Sequence, residues 1–157
     1  MGSDGSNKEL LPGVIGMGVR CSRDRKWIAA YRFDPPVWLV SYERSTLLIK
    51  RIAIAATEDV SGSLSFSWSP DGTKLVFSKG WGGFYEISLC VVDTGGSHVK
   101  ELTNTGWNFD TRWSPDGRII SFSKSESQRR KVDAYLIDSD GLNMRAVPYM
   151  PLGKCTP

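Results

Sequence analysis

Apolar and polar residues alternate with a period of two in the middle of this chain. Leu64, Phe66 and Trp68 are separated by serines, and after Pro70-Asp71-Gly72, Leu75 and Phe77 alternate with Lys74, Val76 and Ser78. Successive side chains of a strand point to opposite faces, so this period marks two strands and not a helix. The residues between them specify a tight turn. Pro70 presets φ for the second position of a type I turn, Asp71 can bond to nearby backbone N–H groups, and Gly72 accepts positive φ. The hairpin should be followed by a third strand over Glu86–Val92, a turn at Asp93-Thr94-Gly95-Gly96, and a short fourth strand over Val99–Thr103.

The whole unit returns. Trp68-Ser69-Pro70-Asp71-Gly72 recurs 45 residues on as Trp113-Ser114-Pro115-Asp116-Gly117. Leu75, Phe77, Asp93, Gly96 and Leu102 then map onto Ile120, Phe122, Asp138, Gly141 and Val147. The second copy predicts a third strand over Val132–Ile137 and a fourth over Met144–Pro148. A worn copy lies upstream, where Cys21 to Ala29 fits Trp68 to Val76 with one extra residue expected in or near the turn. Ser22 and Asp24 survive there; the Trp, Pro and Gly do not. Its later strands are expected over Val37–Tyr42 and Leu47–Ala55. Four antiparallel strands in about 45 residues is the size of one blade of a β-propeller. The fold class is therefore all-β, with about three four-stranded blades.

Two W-S-P-D-G hairpins, each followed by an apolar strand ending in Asp93 or Asp138 and then a glycine, resemble the repeats of TolB-like β-propellers. Similar repeats occur in the propellers of prolyl-oligopeptidase-type peptidases and of the tricorn protease. The resemblance spans roughly Gly18 to Pro148. It implies blades around a central channel, each with the strand leading into the W-S-P-D-G turn innermost. The expected organisation is a flexible segment over 1–13, repeats over about 14–60, 61–105 and 106–148, and a tail over 149–157. Closed propellers have about four to eight blades, so an open arc of three would leave an apolar face at each end. Either the ends are capped, the chain is part of a longer protein, or a homodimer closes a six-bladed ring. TolB relatives are periplasmic, yet Met1–Gly13 is polar and carries no secretory core, so the compartment stays open.

Composition adds little chemistry. The net charge of +3 comes from 20 Lys and Arg against 17 Asp and Glu, a balance that gives no nucleic-acid footprint. Two denser basic patches, Arg20, Arg23, Arg25, Lys26 and Lys124, Arg129, Arg130, Lys131, read as solvated loop charge in preference to a phosphate-binding surface. Cys21, Cys90 and Cys155 are odd in number and form no C-x-x-C pair, so neither zinc nor a disulfide framework is indicated. Gly2 and Ser6 match a myristoylation pattern too short to weigh. No apolar run approaches the length of a membrane span.

His98 is the single histidine and reads as a turn residue and not a triad member. Asp138, Asp140 and Asn143 could contribute to a calcium site, but a β-turn explains the same residues and the ligand count of a full loop is missing. Trp68 and Trp113 are expected in the core, and Asp93 and Asp138 as caps on turn amides. Trp81, beside Gly82 and Gly83, and Trp107, in the loop before the next inner strand, are the candidate partner contacts. Packing on a neighbouring strand is the plainer role for both.

The expected function is a non-catalytic scaffold for a protein or peptide partner, with no cofactor, no metal and no membrane insertion. The alternative is the propeller portion of a peptidase, which gates access to a separate catalytic domain. Ligand binding at the channel mouth is a third reading; it would be supported by polar aromatics in equivalent loops, and Trp81 has no equivalent in the next repeat.

Overall fold

The computed structural model describes residues 17–32, 37–46, 48–56, 65–80, 86–125 and 131–148. The described residues form three antiparallel meanders of four strands each. The first blade contains β1 (Met17–Cys21), β2 (Trp27–Arg32), β3 (Val37–Glu43) and β4 (Ile49–Ala56). The second contains β5 (Phe66–Trp68), β6 (Lys74–Gly80), β7 (Ile87–Asp93) and β8 (Lys100–Glu101). The third contains β9 (Trp107–Trp113), β10 (Ile119–Ser125), β11 (Asp133–Asp138) and β12 (Arg145–Ala146). A parallel bridge between Ile87 and Trp107 links the second blade to the third.

The three inner hairpins have one geometry. Cys21 pairs with Ile28, Trp68 with Leu75 and Trp113 with Ile120, the same span in each blade. The extra residue expected in the first turn is therefore not there. What obscured the first repeat is its composition, not its length. In the second blade Gly72 N–H donates to Ser69 O at 2.9 Å, and Ser69 N–H to Lys74 O at 2.9 Å. Ser69 Oγ donates to Asp71 Oδ1 at 2.6 Å and accepts from Lys74 N–H at 2.9 Å, while Asp71 Oδ1 also accepts from Thr73 N–H at 3.0 Å. Ser114 and Asp116 make the same bonds in the third blade, and Ser22 and Asp24 in the first. The Ser-x-Asp pair thus closes the turn, so the hairpin survives the loss of Pro and Gly. Arg25 stands where the other turns have glycine and takes φ 61°, beside 71° at Gly72 and 74° at Gly117.

Blade faces are covered by neighbouring blades. Ala29, Tyr31 and Leu39 of the first blade pack with Phe66, Leu75, Phe77, Cys90 and Val92 of the second. Tyr31 meets Phe66 edge to face at 5.2 Å, and its hydroxyl donates to Ser65 O at 2.9 Å across the seam. Val76, Leu89 and Val91 on the opposite face of the second blade pack with Ile120, Phe122 and Ile137 of the third. Each such side chain contributes about 1.5–3 kcal/mol on full burial, so burial between blades outweighs any single turn bond, worth about 1 kcal/mol net.

The expectation of exposed apolar faces at both ends of the arc fails at the first blade and holds in part at the third. Ile28, Ala30, Val40 and Tyr42, on the first blade's far side, are all under 5% exposed within this chain. On the third blade's far side, Ser121, Ala134 and Leu136 occupy the positions that Val76, Leu89 and Val91 hold in the second, and none of the three is buried. Only Ser121 of the three is polar, so this end leaves Ala134 and part of Leu136 open to solvent. Inner strands β1 and β9 carry bulges at equivalent positions, with Gly18 at φ 74° and Asp110 at φ 54°. Trp107 is the first residue of β9 and not a loop residue, pairing with Ser125. Trp81 lies outside the described residues.

An L-residue in the left-handed region costs about 1–2 kcal/mol, part of which glycine returns as unfolded-state entropy. Arg25→Gly should therefore raise stability by about 0.5–1 kcal/mol, and Gly117→Ala should lower it by about 1 kcal/mol or more. Urea unfolding midpoints check both; equal midpoints for wild type and Arg25→Gly would refute the equivalence of the three turns.

Candidate functional site

The hairpin ends meet along the seams between blades. Trp68 Nε1–H donates to Arg20 O at 3.1 Å, and Trp113 Nε1–H donates to Ser67 O at 3.1 Å. Arg20 and Ser67 hold the same place in successive inner strands, so this is one bond made twice. Trp113 N–H adds a bond to Ser67 Oγ at 3.2 Å, and Thr111 N–H one to Ser65 Oγ at 3.2 Å. Trp68 and Trp113 are half-buried, each packed against the core of its seam. Their expected core role is thus met in part.

Each seam leaves a groove at its hairpin end, and the two grooves differ in charge. One, of about 210 Å³, is lined by Ser69, Asp71, Lys74, Trp113, Asp116 and Ser139 among others. The other, of about 300 Å³, is lined by Arg20, Cys21, Arg23, Ser67, Trp68, Ser69, Pro70 and Arg112. Three guanidinium-bearing residues line the larger groove, and among the described residues no carboxylate does. Arg20 and Arg112 flank Ser67 because residues 20, 67 and 112 are one repeat position on three adjacent inner strands. Sequence inspection noticed Arg20 and Arg23 as loop charge but missed Arg112; applying the repeat offsets to residue 20 would have found it.

The turn carboxylates are electrostatically distinct from ordinary surface acids. The Ser69 hydroxyl, followed by Thr73 N–H, holds Asp71 below the usual 3.8 of a carboxyl group. Ser114 and then Arg118 N–H do the same for Asp116, as Ser22 and Lys26 N–H do for Asp24. Hydrogen bonds donated to the ionised form are the cause in each case.

Other candidate chemistry resolves into structure. His98 Nδ1 lies 3.8 Å from Asp93 Oδ2, at 90% side-chain exposure. Its equivalent in the next blade, Asn143, donates from Nδ2 to Asp138 Oδ2 at 2.8 Å, and both residues have positive φ. The turn amides of Gly96 and Gly141 are accepted by the backbone carbonyls of Asp93 and Asp138. The carboxylates, expected as caps on those amides, face these turn side chains. Asp140 Oδ1 accepts from Leu142 N–H at 2.9 Å, so Asp138, Asp140 and Asn143 serve the turn. Among the described residues no three His, Cys, Asp or Glu side chains group as a metal site.

Lys124 of the second basic patch is buried, not solvated, with Nζ 3.4 Å from Thr105 Oγ1 and 5.7 Å from the Tyr135 ring centroid. Lys131 is exposed and pairs with Asp133 at 3.1 Å; Arg129 and Arg130 lie outside the described residues. Cys90 is buried in the first seam, and burial, then Glu101, pushes its thiol up to about 12. Cys21 is exposed and Cys155 lies outside the described residues. Buried Asn108 ties the loop into β9 to β7, its Nδ2 donating to Ile87 O at 2.7 Å and to Thr105 O at 3.0 Å. Among the described residues no helix is long and apolar enough to cross a membrane.

Comparison with known proteins places the architecture. No protein-family description matches the sequence, and no curated protein matches it significantly. Solved structures do match. TolB from Acinetobacter baumannii superposes with a TM-score of 0.64 at 22% identity, covering 82% of this chain and 31% of that one. A protein described as TolB from Agrobacterium tumefaciens gives a TM-score of 0.65 at 19% identity, covering 83% of this chain and 49% of the other. The tricorn protease gives 0.57 at 16% identity over 82% of this chain and 12% of its own. The chain thus spans less than half the length of these TolB structures.

The three depressed carboxyl groups set a pH dependence. A folded-state pKa below the unfolded value adds stability that is fully present above the unfolded pKa and is lost as pH falls through the folded one. The melting temperature should fall between about pH 5 and pH 2. In Asp24→Asn/Asp71→Asn/Asp116→Asn it should start lower at neutral pH and fall less steeply, so that the curves converge in acid. Parallel curves would show that these turns do not hold their carboxylates in the charged form.

Proposed function

Because the chain has the fold of a TolB-like β-propeller segment, we propose that it is a non-catalytic scaffold that binds a protein or peptide at the hairpin ends of its blades. The interchange of His98 and Asn143 carries the non-catalytic part of this reading. The single histidine occupies a place that the next blade fills with an amide, and an amide does no acid–base chemistry near neutral pH. The binding part is supported by the seams, where backbone carbonyls, hydroxyls and indoles are held rigidly beside open grooves.

Completion of a six-bladed ring by a second copy belongs to the same proposal, with a species of twice the 17.4 kDa chain mass as its signature. Its seam would be weaker than the two inside the chain. The incoming first blade offers Cys21 where Trp68 and Trp113 stand, so no indole would reach Arg112 O. The likeness to the tricorn protease favours a second reading, in which the blades gate substrate entry to a separate catalytic domain. A hydrolase domain in the same reading frame would decide for it.

A peptide array probed with the purified chain, followed by calorimetry and mass spectrometry of the bound peptides, tests the scaffold reading. It should yield peptides held with dissociation constants in about the micromolar range and recovered intact. Cleaved peptides, or an array without any bound sequence, would contradict it.

A further inference from the structure

We propose that the groove lined by Arg20, Arg23 and Arg112 binds an acidic peptide segment, an Asp or Glu side chain being held by the guanidinium groups. The proposal rests on the scaffold reading above and names the partner's chemistry.

The internal repeat supplies the main argument. Three copies of one hairpin show what the fold requires at each position, and the groove departs from that requirement at position 23. Position 23 is Pro70 and Pro115 in the other blades, the residue preorganised for the turn. Position 20 is Ser67 in the second blade and Arg112 in the third, so the inner strand accepts either residue and the two arginines flank the serine. Departures from locally preferred residues concentrate at functional sites. The groove of the second seam uses other repeat positions and is lined by the turn carboxylates Asp71 and Asp116 together with Lys74.

The arginines are available. Arg20, Arg23 and Arg112 have exposed side chains and no carboxylate within 4.0 Å among the described residues. Arg112 makes one long bond, from Nη1 to Thr111 O at 3.4 Å, which leaves most of its donors free. Guanidinium groups take carboxylates with two parallel bonds, roughly twice as strong as neutral ones. The remaining wall combines the apolar surfaces of Trp68, Pro70 and Cys21 with Ser67 and Ser69. A bare inorganic anion would leave that wall wet, whereas the methylenes of a Glu side chain cover it while its carboxylate meets the arginines. At about 300 Å³ the groove is at the small end of ligand sites, which suits one or two residues of an extended peptide.

The test uses fluorescence anisotropy with three labelled octapeptides, rich in Glu, Gln or Lys, and with an oligogalacturonate as a non-peptide carboxylate. The Glu peptide should bind most tightly and weaken as salt rises. Arg20→Gln/Arg112→Gln should weaken it about tenfold or more, whereas the charge-matched pair Lys100→Gln/Lys131→Gln, away from the inner hairpin turns, changes it less than about twofold. Arg23→Gln, on an exposed turn, should cost about threefold and guards against misfolding of the double variant, with melting curves checking both. Equal losses in the two double variants would overturn the groove while leaving peptide binding intact. An oligogalacturonate bound as tightly, with the same loss, would overturn the peptide assignment. No binding of any peptide at about millimolar concentration would remove the groove and the scaffold reading together.

Discussion

A four-stranded sheet with apolar side chains on both faces cannot stand alone in water, and every other feature of this chain follows from how that constraint is met. Leu75, Phe77, Cys90 and Val92 look toward the first blade, while Val76, Leu89 and Val91 look toward the third. The strand period of two puts both sets into one sheet, so the second blade is stable only between two neighbours. Hydrophobic burial supplies the larger energy but is indifferent to small slides. The indoles of Trp68 and Trp113, each reaching the carbonyl of the preceding inner strand, set the register at which the sheets stack. That register brings residues 20, 67 and 112 side by side and creates the grooves.

The turns show how one device tolerates divergence. Ser and Asp at the first and third positions bond to each other and take two backbone N–H groups of the turn with one hydroxyl and one carboxylate. Pro and Gly only reduce the conformational cost of the same geometry. The first blade discards both and keeps the hairpin, with Arg25 held at φ 61°. A position freed in this way can carry charge for another purpose, which is how a worn repeat becomes the distinctive one.

Much of the fold was legible because its information is local and repeated. The W-S-P-D-G pair gave the hairpins, the alternation gave the strands, and the 45-residue offset gave the blades. The first blade was harder to read, since Cys21 and Arg23 replace the two most recognisable letters while the length is unchanged. The far face of the first blade was not legible: burial of Ile28, Ala30, Val40 and Tyr42 depends on tertiary contacts that no short-range pattern encodes. The same holds for Lys124, which looked like loop charge and is buried against Thr105 and Tyr135. The candidate site was half visible. Arg20 and Arg23 lie close in sequence, but Arg112 joins them only when three blades stack, and Trp107 belongs to β9 and not to the loop that suggested it as a contact.

The stacking of blades through their tryptophans is the claim on which the grooves and any function built on them rest. Hydrogen exchange of the indole Nε1–H protons, followed by NMR on the whole chain, reads those two bonds directly. The account predicts that the protons of Trp68 and Trp113 exchange together, at least about a hundredfold more slowly than free indole, because release requires a seam to open. Exchange of both at the rate of free tryptophan would mean that the seams are not closed in solution.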